Sequence, residues 1–454
     1  MKLALKILMV LGLTLAILVP LSMIRGVIHE RQAYRLGAVR AVTASYAGAQ
    51  GLAGPVVVVP YTETVDVEER DDRGVLRRMR REVAREWTWF PATFAVDGTL
   101  LPSTRKRGLH EVRVYELQAK LAARFDIVVP ADADALAPRR IGRPRIAWGI
   151  SDVRGLAGSP ALRIDSRSVA LEQGGAGATP GLHATLPPVR AGQRLALASE
   201  LQLALGGTES LAIAPVGKHN RIAIASTWPH PQFNGAFLPR EREVASGGFR
   251  ATWDVSSLAT GAQAQYLAGH RLPDADADAG AGNDTAAGGL DAIGISLLDP
   301  VNPYTQADRA SKYGVLFVLL TFVGFFMFEL VKQLRIHPIQ YVLVGLALAM
   351  FFLLLVGLSE HVAFGAAYVL AAAGCIGLLG YYLAHVLHSR ARGAGFAAML
   401  ALLYAALYGL LVSEDNALVL GAGLLFAILA GLMVATRRID WYRVSAGPEA
   451  PASP

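Results

Sequence analysis

Long apolar runs in two regions of the chain predict membrane-spanning helices. A helix needs about 20 apolar residues to cross the hydrocarbon core of a bilayer. The pattern therefore predicts one N-terminal anchor helix and, near the C-terminus, a bundle of five more helices separated by short polar breaks. The runs cover approximately residues 7–24, 313–331, 339–358, 363–387, 396–412 and 417–436.

Between the two regions, apolar and polar residues alternate over short stretches that end at Gly, Pro, Asn or Asp. Such alternation is typical of half-buried β-strands. Only residues 29–50, directly after the anchor, show helical spacing. The predicted strands cover residues 52–61, 83–90, 111–117, 195–205, 221–227, 248–255 and 293–298.

These patterns predict a multi-pass α-helical membrane protein with six transmembrane helices. A large all-β, sandwich-like extracytoplasmic domain, with antiparallel sheets, is expected between helix 1 and helix 2. The predicted domains are the anchor (1–24), the β-rich domain (25–312), the five-helix bundle (313–443) and a cytoplasmic tail (444–454).

Two stretches of the β-rich domain are expected to be insertions. Residues 68–85 carry many charges of both signs and suit the tip of a hairpin, whereas residues 273–289 are rich in Ala, Asp and Gly and suit a loop. Three aspartates in that loop resemble the start of a calcium site. However, Ala279 stands where a calcium loop needs Gly, and Thr285 stands where it needs Glu, so a solvated acidic loop is expected.

The positions of the basic residues predict how the chain is oriented across the membrane. With the N-terminus in the cytoplasm and six crossings, every Lys and Arg of the short connections falls on the cytoplasmic side, and the short outer loops carry only acids. Both termini are therefore expected in the cytoplasm, and residues 25–312 in the periplasm. The first helix is expected to be an uncleaved anchor, with a cleaved signal peptide as the alternative.

Smaller features within the bundle suggest how its helices begin and pack. Gly374, Gly377 and Gly380 recur at a spacing that allows another helix to approach closely. Ser359 and Ser413, each followed by an acid, resemble helix N-caps.

Composition narrows the class of function. Charged residues make up 17% of the chain, against about 25% in soluble domains, and this deficit fits a membrane protein with the lipid bilayer as its first partner. The net charge of +7 comes without a basic face interleaved with aromatics, so no nucleic-acid partner is expected. The lone Cys375 excludes a disulfide framework and a multi-thiolate zinc site.

A search for chemical motifs finds no phosphate-binding loop, no H-E-x-x-H motif and no G-x-S-x-G motif. No enzyme activity, catalytic residue, metal or cofactor is therefore predicted.

One candidate ligand- or partner-binding site follows a predicted strand. Rigid prolines there surround several aromatic residues, and such a segment can present rings to a ligand at low entropic cost. The alternative is that the segment forms a turn whose Trp228 side chain packs into the β core. The candidate residues are Trp228, Pro229, His230, Pro231 and Phe233.

A second candidate site consists of polar residues in or beside the membrane helices, where ionisable groups are costly unless they serve a function. One group lies near the predicted cytoplasmic edge: Glu329, His337 and Gln340. The other group is expected at the outer mouth of the bundle: Glu360, His361, Glu414 and Asp415. The alternatives are ion pairs with neighbouring bases for Glu329, and helix caps in water for the outer group.

Several longer motifs resemble the CreD family of inner-membrane proteins. In the membrane part they are KYGVLFVLLTF (312–322), RIHPIQY (335–341), LSEH (358–361), SED (413–415) and TRRIDWY (436–442). Elsewhere they are GPVVVVPY (54–61), Arg107-Gly108, WPHP (228–231) and NPY (302–304). The resemblance spans nearly the whole chain.

The resemblance implies a cell-inner-membrane location and a role in cell-envelope integrity under stress, and it implies no catalytic residues. The first hypothesis is a non-enzymatic protein whose periplasmic β domain binds an envelope component, protein or lipid. The second is a membrane-embedded enzyme or transporter that acts on an envelope lipid, ion or small substrate at the outer mouth of the bundle.

Overall fold

The chain forms two compact units, a helical unit (residues 1–36 and 301–454) and a β unit (residues 37–300). The predicted domain boundaries stay a prediction. The structure, a computed structural model, describes residues 3–70, 76–108, 110–132, 139–177, 179–273, 289–297, 303–332, 337–387, 389–413 and 417–437.

Six long apolar helices occur in the described ranges, at the places where the apolar runs predict them. Five of them are long and apolar enough to cross a membrane. The sixth, α7, has 20 residues, and its described apolar stretch, Val419–Gly431, is shorter. The multi-pass helical architecture is confirmed. The α-helices are α1 (Leu3–Ser45), α2 (Ala262–Leu267), α3 (Pro303–Lys332), α4 (Pro338–Ser359), α5 (Phe364–Val386), α6 (Arg390–Val412) and α7 (Ala417–Thr436).

Helix α1 continues well beyond the apolar run that predicts it. Apolar residues keep their helical spacing after the run ends, and Ile28, Ala38 and Val42 are all buried. The helical spacing seen in residues 29–50 is thereby confirmed up to Ser45. Residues up to Leu36 belong to the helical unit, and residues from Gly37 belong to the β unit.

The two faces of α1 meet different surroundings. Ile17, Leu21, Ile24 and Ile28 lie three or four residues apart and are buried in the core of the helical unit. The opposite face exposes large apolar side chains at similar spacing, which suits contact with lipid. These exposed residues are Leu8, Leu11, Leu15, Val19 and Met23.

Close helix packing occurs at one of the three predicted glycines and at others that were not predicted. An added Cβ at Gly345 would lie 2.7 Å from a side-chain carbon of Ile17 and 2.8 Å from Phe322. By contrast, no heavy atom outside the local helix backbone lies within 4 Å of such a Cβ at Gly374 or Gly377. Among the described residues, the predicted close approach is therefore wrong at Gly374 and Gly377. It is confirmed at Gly380, where an added Cβ would lie 3.1 Å from Cβ of Ala397 on α6.

The β unit contains two sheets in the described ranges. The first has the order β14-β17-β12-β1-β6-β10-β9, with β2 and β5 also paired to β1, and the second has the order β15-β16-β13-β3-β4-β11-β7-β8. First-sheet strands are β1 (Gln50–Arg70), β2 (Leu76–Trp89), β5 (Arg140–Ile141), β6 (Arg145–Ile150), β9 (Glu172–Gln173), β10 (Gly181–Thr185), β12 (Ser210–Ile213), β14 (Gln232–Gly235) and β17 (Ile293–Ser296). Second-sheet strands are β3 (Thr93–Arg107), β4 (His110–Val128), β7 (Leu156–Ile164), β8 (Arg167–Val169), β11 (Arg194–Thr208), β13 (His219–Ser226), β15 (Glu241–Ala245) and β16 (Gly248–Ser256).

The two sheets share one hydrophobic core, so the predicted sandwich is confirmed. Trp148 of the first sheet and Trp253 of the second are among its largest fully buried side chains. Strand β3 shows the strict alternation that predicts a half-buried strand, with Phe94, Val96 and Leu100 inward. At Gly98, also inward, an added Cβ would lie 2.9 Å from Ile224, so the strands pack too tightly there for a side chain.

The expectation of purely antiparallel sheets is wrong at two pairings. Strand β1 runs parallel to β12, and β3 runs parallel to β13. At the first of these pairings, the chain passes from β11 in one sheet to β12 in the other through Glu209 alone, which adopts a positive φ of 60°. Strand direction at such a crossover depends on the whole topology and leaves no local sequence signal.

The described residues cover the two predicted insertions to different extents. The charged stretch at residues 68–85 belongs to a long hairpin in which β1 pairs with β2 from Val57–Trp89 to Arg70–Leu76, so a hairpin is confirmed there. Its tip, residues 71–75, lies outside the described residues. Residues 274–288, which include Asp274, Asp276 and Asp278, also lie outside them.

Candidate functional site

The Pro- and Trp-rich strap segment (residues 226–239) begins where β13 ends. The backbone N–H of Trp228 donates to Ser226 Oγ at 3.1 Å. The indole N–H donates to the carbonyl of His230 at 2.9 Å, and the two rings meet edge to face with centroids 6.0 Å apart. These contacts close a tight turn that holds the Trp228 ring in one orientation.

The guanidinium of Arg113, on β4, lies over this ring, 4.1 Å from its centroid. Arg113 also donates to Thr104 Oγ1 on the neighbouring strand β3, which orients it. A cation over a Trp face contributes about 0.5–1 kcal/mol at exposed sites and more when it is desolvated. Trp228 is half-buried, so one part of the ring packs on the core while another part stays accessible.

Side chains of the strap segment differ in how far they are buried. Phe233 lies in β14, and its ring packs edge to face on Phe249 and Trp253, with centroids 5.6 Å and 5.7 Å away. Trp228 and Phe233 thus both pack against the shared core, and a core-filling role for Trp228 stays the alternative. His230 is exposed, and Pro229 and Pro231 are half-buried around it.

In the helical unit, Glu329 of α3 is buried, with 3% of its surface exposed. Tyr341 of α4 donates its hydroxyl to Glu329 Oε2 at 2.8 Å. The rings of Phe322 and Phe325 lie against Tyr341. A carboxylate in apolar surroundings needs hydrogen-bond donors, and Tyr341 is one that sequence spacing did not identify.

His337 and Gln340 form a capping box at the start of α4. The His337 ring nitrogen accepts from the backbone of Ile339 at 3.4 Å, and the His337 N–H donates to Gln340 Oε1 at 3.1 Å. Pro338 occupies the first helical position, where its missing N–H costs nothing. These two side chains are thus engaged in starting the helix.

Glu360 lies at the C-terminal end of α4, and its side chain is only 11% exposed. Its Oε1 lies 3.5 Å from Nε of Arg31 on α1 and 3.3 Å from the hydroxyl of Tyr304 on α3. His361 is exposed. The other two predicted members of this group, Glu414 and Asp415, lie outside the described residues, so the proposed gathering of acids stays a prediction.

Arg31 and Tyr304 belong to a wider polar layer between α1 and α3. Asp308 of α3 lies 3.9 Å from Arg25 on α1 and 2.8 Å from Lys312 one turn along its own helix. Sequence analysis placed Arg25 and Arg31 in the β-rich domain (25–312) and predicted no partner for them. The sequence did contain an indication of these ion pairs, namely the spacing of Arg25 and Arg31 along a continuous helix.

Ser359 and Ser413 both lie at the C-terminal end of a helix. Ser359 is the last residue of α4 and donates to the carbonyl of Val356 at 2.8 Å, whereas Ser413 ends α6. The N-cap prediction is therefore wrong at Ser359, because Ala363 is the N-cap of α5. At Ser413 it stays a prediction, since residues 414–416 lie outside the described residues.

A buried hydrogen-bond chain crosses the bundle at a place where the sequence indicated only packing. Tyr368 donates to the carbonyl of Tyr404 at 2.7 Å, Tyr404 donates to Cys375 Sγ at 3.2 Å, and Cys375 donates to the carbonyl of Ala347 at 3.2 Å. The chain links α4, α5 and α6. In the sequence, this hydrogen-bond chain was indicated only by the i, i+7 spacing that places Tyr368 and Cys375 on one helix face.

Within the described ranges, no group of three or more His, Cys, Asp or Glu side chains could hold a metal ion. The site candidates are therefore an aromatic–arginine surface in the β unit and buried or paired carboxylates in the helical unit.

The comparison with known proteins agrees with this architecture. The family model described as "Inner membrane protein CreD" matches residues 2–442. The chain is also 35% identical, over 441 residues, to the inner membrane protein CreD of Escherichia coli strain K12, an alignment that covers 96% of this chain and 92% of that protein. The chain therefore belongs to the CreD family of inner membrane proteins.

Proposed function

We propose that this inner-membrane protein supports cell-envelope integrity under stress by binding an envelope component or partner protein through its β unit, which would lie in the periplasm. The strap segment is the proposed contact surface. The observation that supports this proposal is the half-buried Trp228 ring, held under Arg113 at 4.1 Å and fixed by its own hydrogen bond to His230.

Such an arrangement suits recognition for two reasons. A Trp side chain provides a large contact area and has few rotatable bonds to immobilise, so little entropy is lost on binding. Trp and Arg are also the residues most enriched among those that dominate binding energy at interfaces. Since Arg113 lies against one face of the ring, a partner would meet the remaining face together with the exposed His230.

The test is complementation of a strain that lacks the protein, scored by sensitivity to envelope stress, with membrane abundance measured in parallel. Trp228→Ala is expected to abolish complementation at normal abundance. Leu258→Ala is the control, because Leu258 lies in the β unit outside the strap segment and is 96% exposed. Full complementation by Trp228→Ala would refute the strap segment as the contact surface, and loss of abundance would assign the residue to packing.

An alternative function, transport or catalysis by the helical unit, is supported by the buried Glu329, because an ionisable group in a membrane helix is a functional candidate by default. Its test is alanine substitution of Glu360, His361, Glu414 and Asp415 together, in the same complementation assay. Loss of function at normal abundance would favour this alternative over binding by the β unit.

A further inference from the structure

A cleft of about 720 Å³ lies on the outer face of the first sheet, within the β unit. Small-molecule sites usually have volumes of about 300–1,000 Å³ and combine apolar walls with a few polar groups. This cleft has both kinds of lining, and no residue of the strap segment contributes to it. Its lining includes Glu86, Thr88, Thr179, Tyr266, Arg271 and Leu272.

The cleft follows from simple features of the sequence. Glu86 and Thr88 are two residues apart on β2, so they share its outer face, while Trp87 between them packs on the core. Beside the cleft, Val56, Val58 and Ala147 form a buried cluster, here called the apolar floor, against which Tyr266 packs.

One wall of the cleft is Tyr266, from the short helix α2. Its ring packs edge to face on Phe90, with centroids 5.7 Å apart, and lies over the apolar floor.

A glycine lets the opposite walls of the cleft approach each other. An added Cβ at Gly149 would lie 2.7 Å from Leu272 Cδ2 and 3.2 Å from Thr179 Cγ2. Both of those residues line the cleft, so its shape depends on the absence of a side chain at Gly149.

The polar groups in the cleft have complementary character. Burial, together with the nearby negative charge of Glu86, raises the pKa of Tyr266 to about 12, so its phenol stays a neutral hydrogen-bond donor at physiological pH. Among the described residues, Glu86 and Arg271 each lack an oppositely charged partner, although they line the same cleft. One negative and one positive group are thus available to a ligand at the same time.

We propose that this cleft binds a small zwitterionic, peptide-like ligand. The ammonium group of the ligand meets the carboxylate of Glu86, and its carboxylate meets the guanidinium of Arg271. Its aliphatic side chain lies between the Tyr266 ring and Leu272. A ligand with a single charge would leave one of the two cleft charges without a counterpart, and for this reason a zwitterion fits the lining best.

The test uses the purified full-length protein in detergent micelles and L-alanyl-L-alanine as the probe, with binding measured by titration calorimetry and saturation-transfer NMR. Two blocked probes separate the charges: N-acetyl-L-alanyl-L-alanine lacks the ammonium, and L-alanyl-L-alaninamide lacks the carboxylate. Each blocked probe is expected to bind the wild-type protein at least about tenfold more weakly than the zwitterion, equivalent to about 1.4 kcal/mol.

The variants Glu86→Gln and Arg271→Gln assign the contacts. Glu86→Gln should weaken binding of the zwitterion about tenfold and leave binding of the acetylated probe unchanged. Arg271→Gln should also weaken binding of the zwitterion about tenfold, but it should leave binding of the amidated probe unchanged. Glu82→Gln, on the same strand, and Arg240→Gln are the controls and should bind as the wild type does. Absence of binding to the wild type, equal binding of blocked and unblocked probes, or unchanged binding in both variants would overturn the proposal.

Discussion

Arg31 on α1 and Glu360 at the end of α4 form an ion pair, with Nε and Oε1 separated by 3.5 Å. Tyr304 of α3 donates to the same carboxylate oxygen at 3.3 Å, so three helices meet at Glu360. The carboxylate is largely shielded from solvent, whereas the arginine is 43% exposed. A pair of this kind positions the polar end of α1 relative to the rest of the helical unit.

Arg31→Gln and Glu360→Gln are each expected to destabilise the helical unit, because each leaves the other charge without its partner. For a partly exposed pair the coupling free energy should be about 1 kcal/mol or less. A double-mutant cycle, measured by thermal or denaturant unfolding in detergent, gives this coupling directly. Strict additivity of the two effects would show that the pair contributes nothing to stability.

Tyr341→Phe removes the hydroxyl that donates to the buried Glu329 at 2.8 Å. The loss of a donor to a buried carboxylate should cost about 1–3 kcal/mol. Glu329→Gln is the comparison, since its amide oxygen can still accept the tyrosine hydrogen bond, and it should cost less than Tyr341→Phe. Equal stability of Tyr341→Phe and the wild type in unfolding experiments would contradict this assignment.

Gly345→Ala and Gly374→Ala form a matched pair of substitutions within the bundle. At Gly345 the new methyl group would lie 2.7 Å from Ile17, and overpacking of this kind costs about 1–3 kcal/mol. At Gly374 a methyl group meets no heavy atom within 4 Å, and a helix favours Ala over Gly, so stability should stay the same or rise. The melting temperatures of the two variants in one detergent test this contrast, and a lower value for Gly374→Ala would contradict it.

Asp152 should contribute to the loss of stability of the β unit at acidic pH. The hydrogen bond from Arg154 lowers the pKa of Asp152 most strongly, burial opposes this shift, and the backbone N–H of Gly48 lowers the pKa further. A carboxylate whose folded-state pKa is depressed stabilises the fold above its unfolded value of about 3.9. This contribution is lost as the pH falls through the lower folded-state pKa.

Asp152→Asn is therefore expected to lower stability at neutral pH and to flatten the loss of stability below about pH 4. The measurement is the unfolding midpoint as a function of pH for the wild type and the variant. Asp97→Asn, on the exposed face of β3, is the control and should leave the slope unchanged. Parallel pH profiles for Asp152→Asn and the wild type would contradict the prediction.

Some features of the fold follow from local spacing and were predictable. Apolar runs of membrane length predicted the helices, and alternation predicted strands within β4 and β11, where Leu117 and Leu201 lie in the shared core. Strand β3 alternates in the same way but was not predicted. The helical spacing after the anchor likewise predicted the extension of α1. In each case the signal lies within one element, where the geometry of the backbone fixes which side chains share a face.

The candidate sites were predictable only in part. The strap segment stood out through its prolines and aromatics, yet only the fold shows that the Phe233 ring packs on Trp253 and that the Arg113 guanidinium lies over Trp228. Tyr341 as the donor to Glu329 and Arg31 as the partner of Glu360 were also missed. Each of these contacts joins residues on different elements, and the sequence distance between them carries no information about their separation in space.

By itself, the sequence determined where the chain is apolar enough for a membrane, where it alternates as strands do, and the family it resembles, because all three depend on the local order of residues. Tertiary structure alone decided the parallel pairing of β1 with β12, the glycines at which helices touch, the partners of the buried carboxylates and the cleft beside Glu86. These features arise when distant elements pack together, and close packing selects one arrangement among many that the local patterns allow.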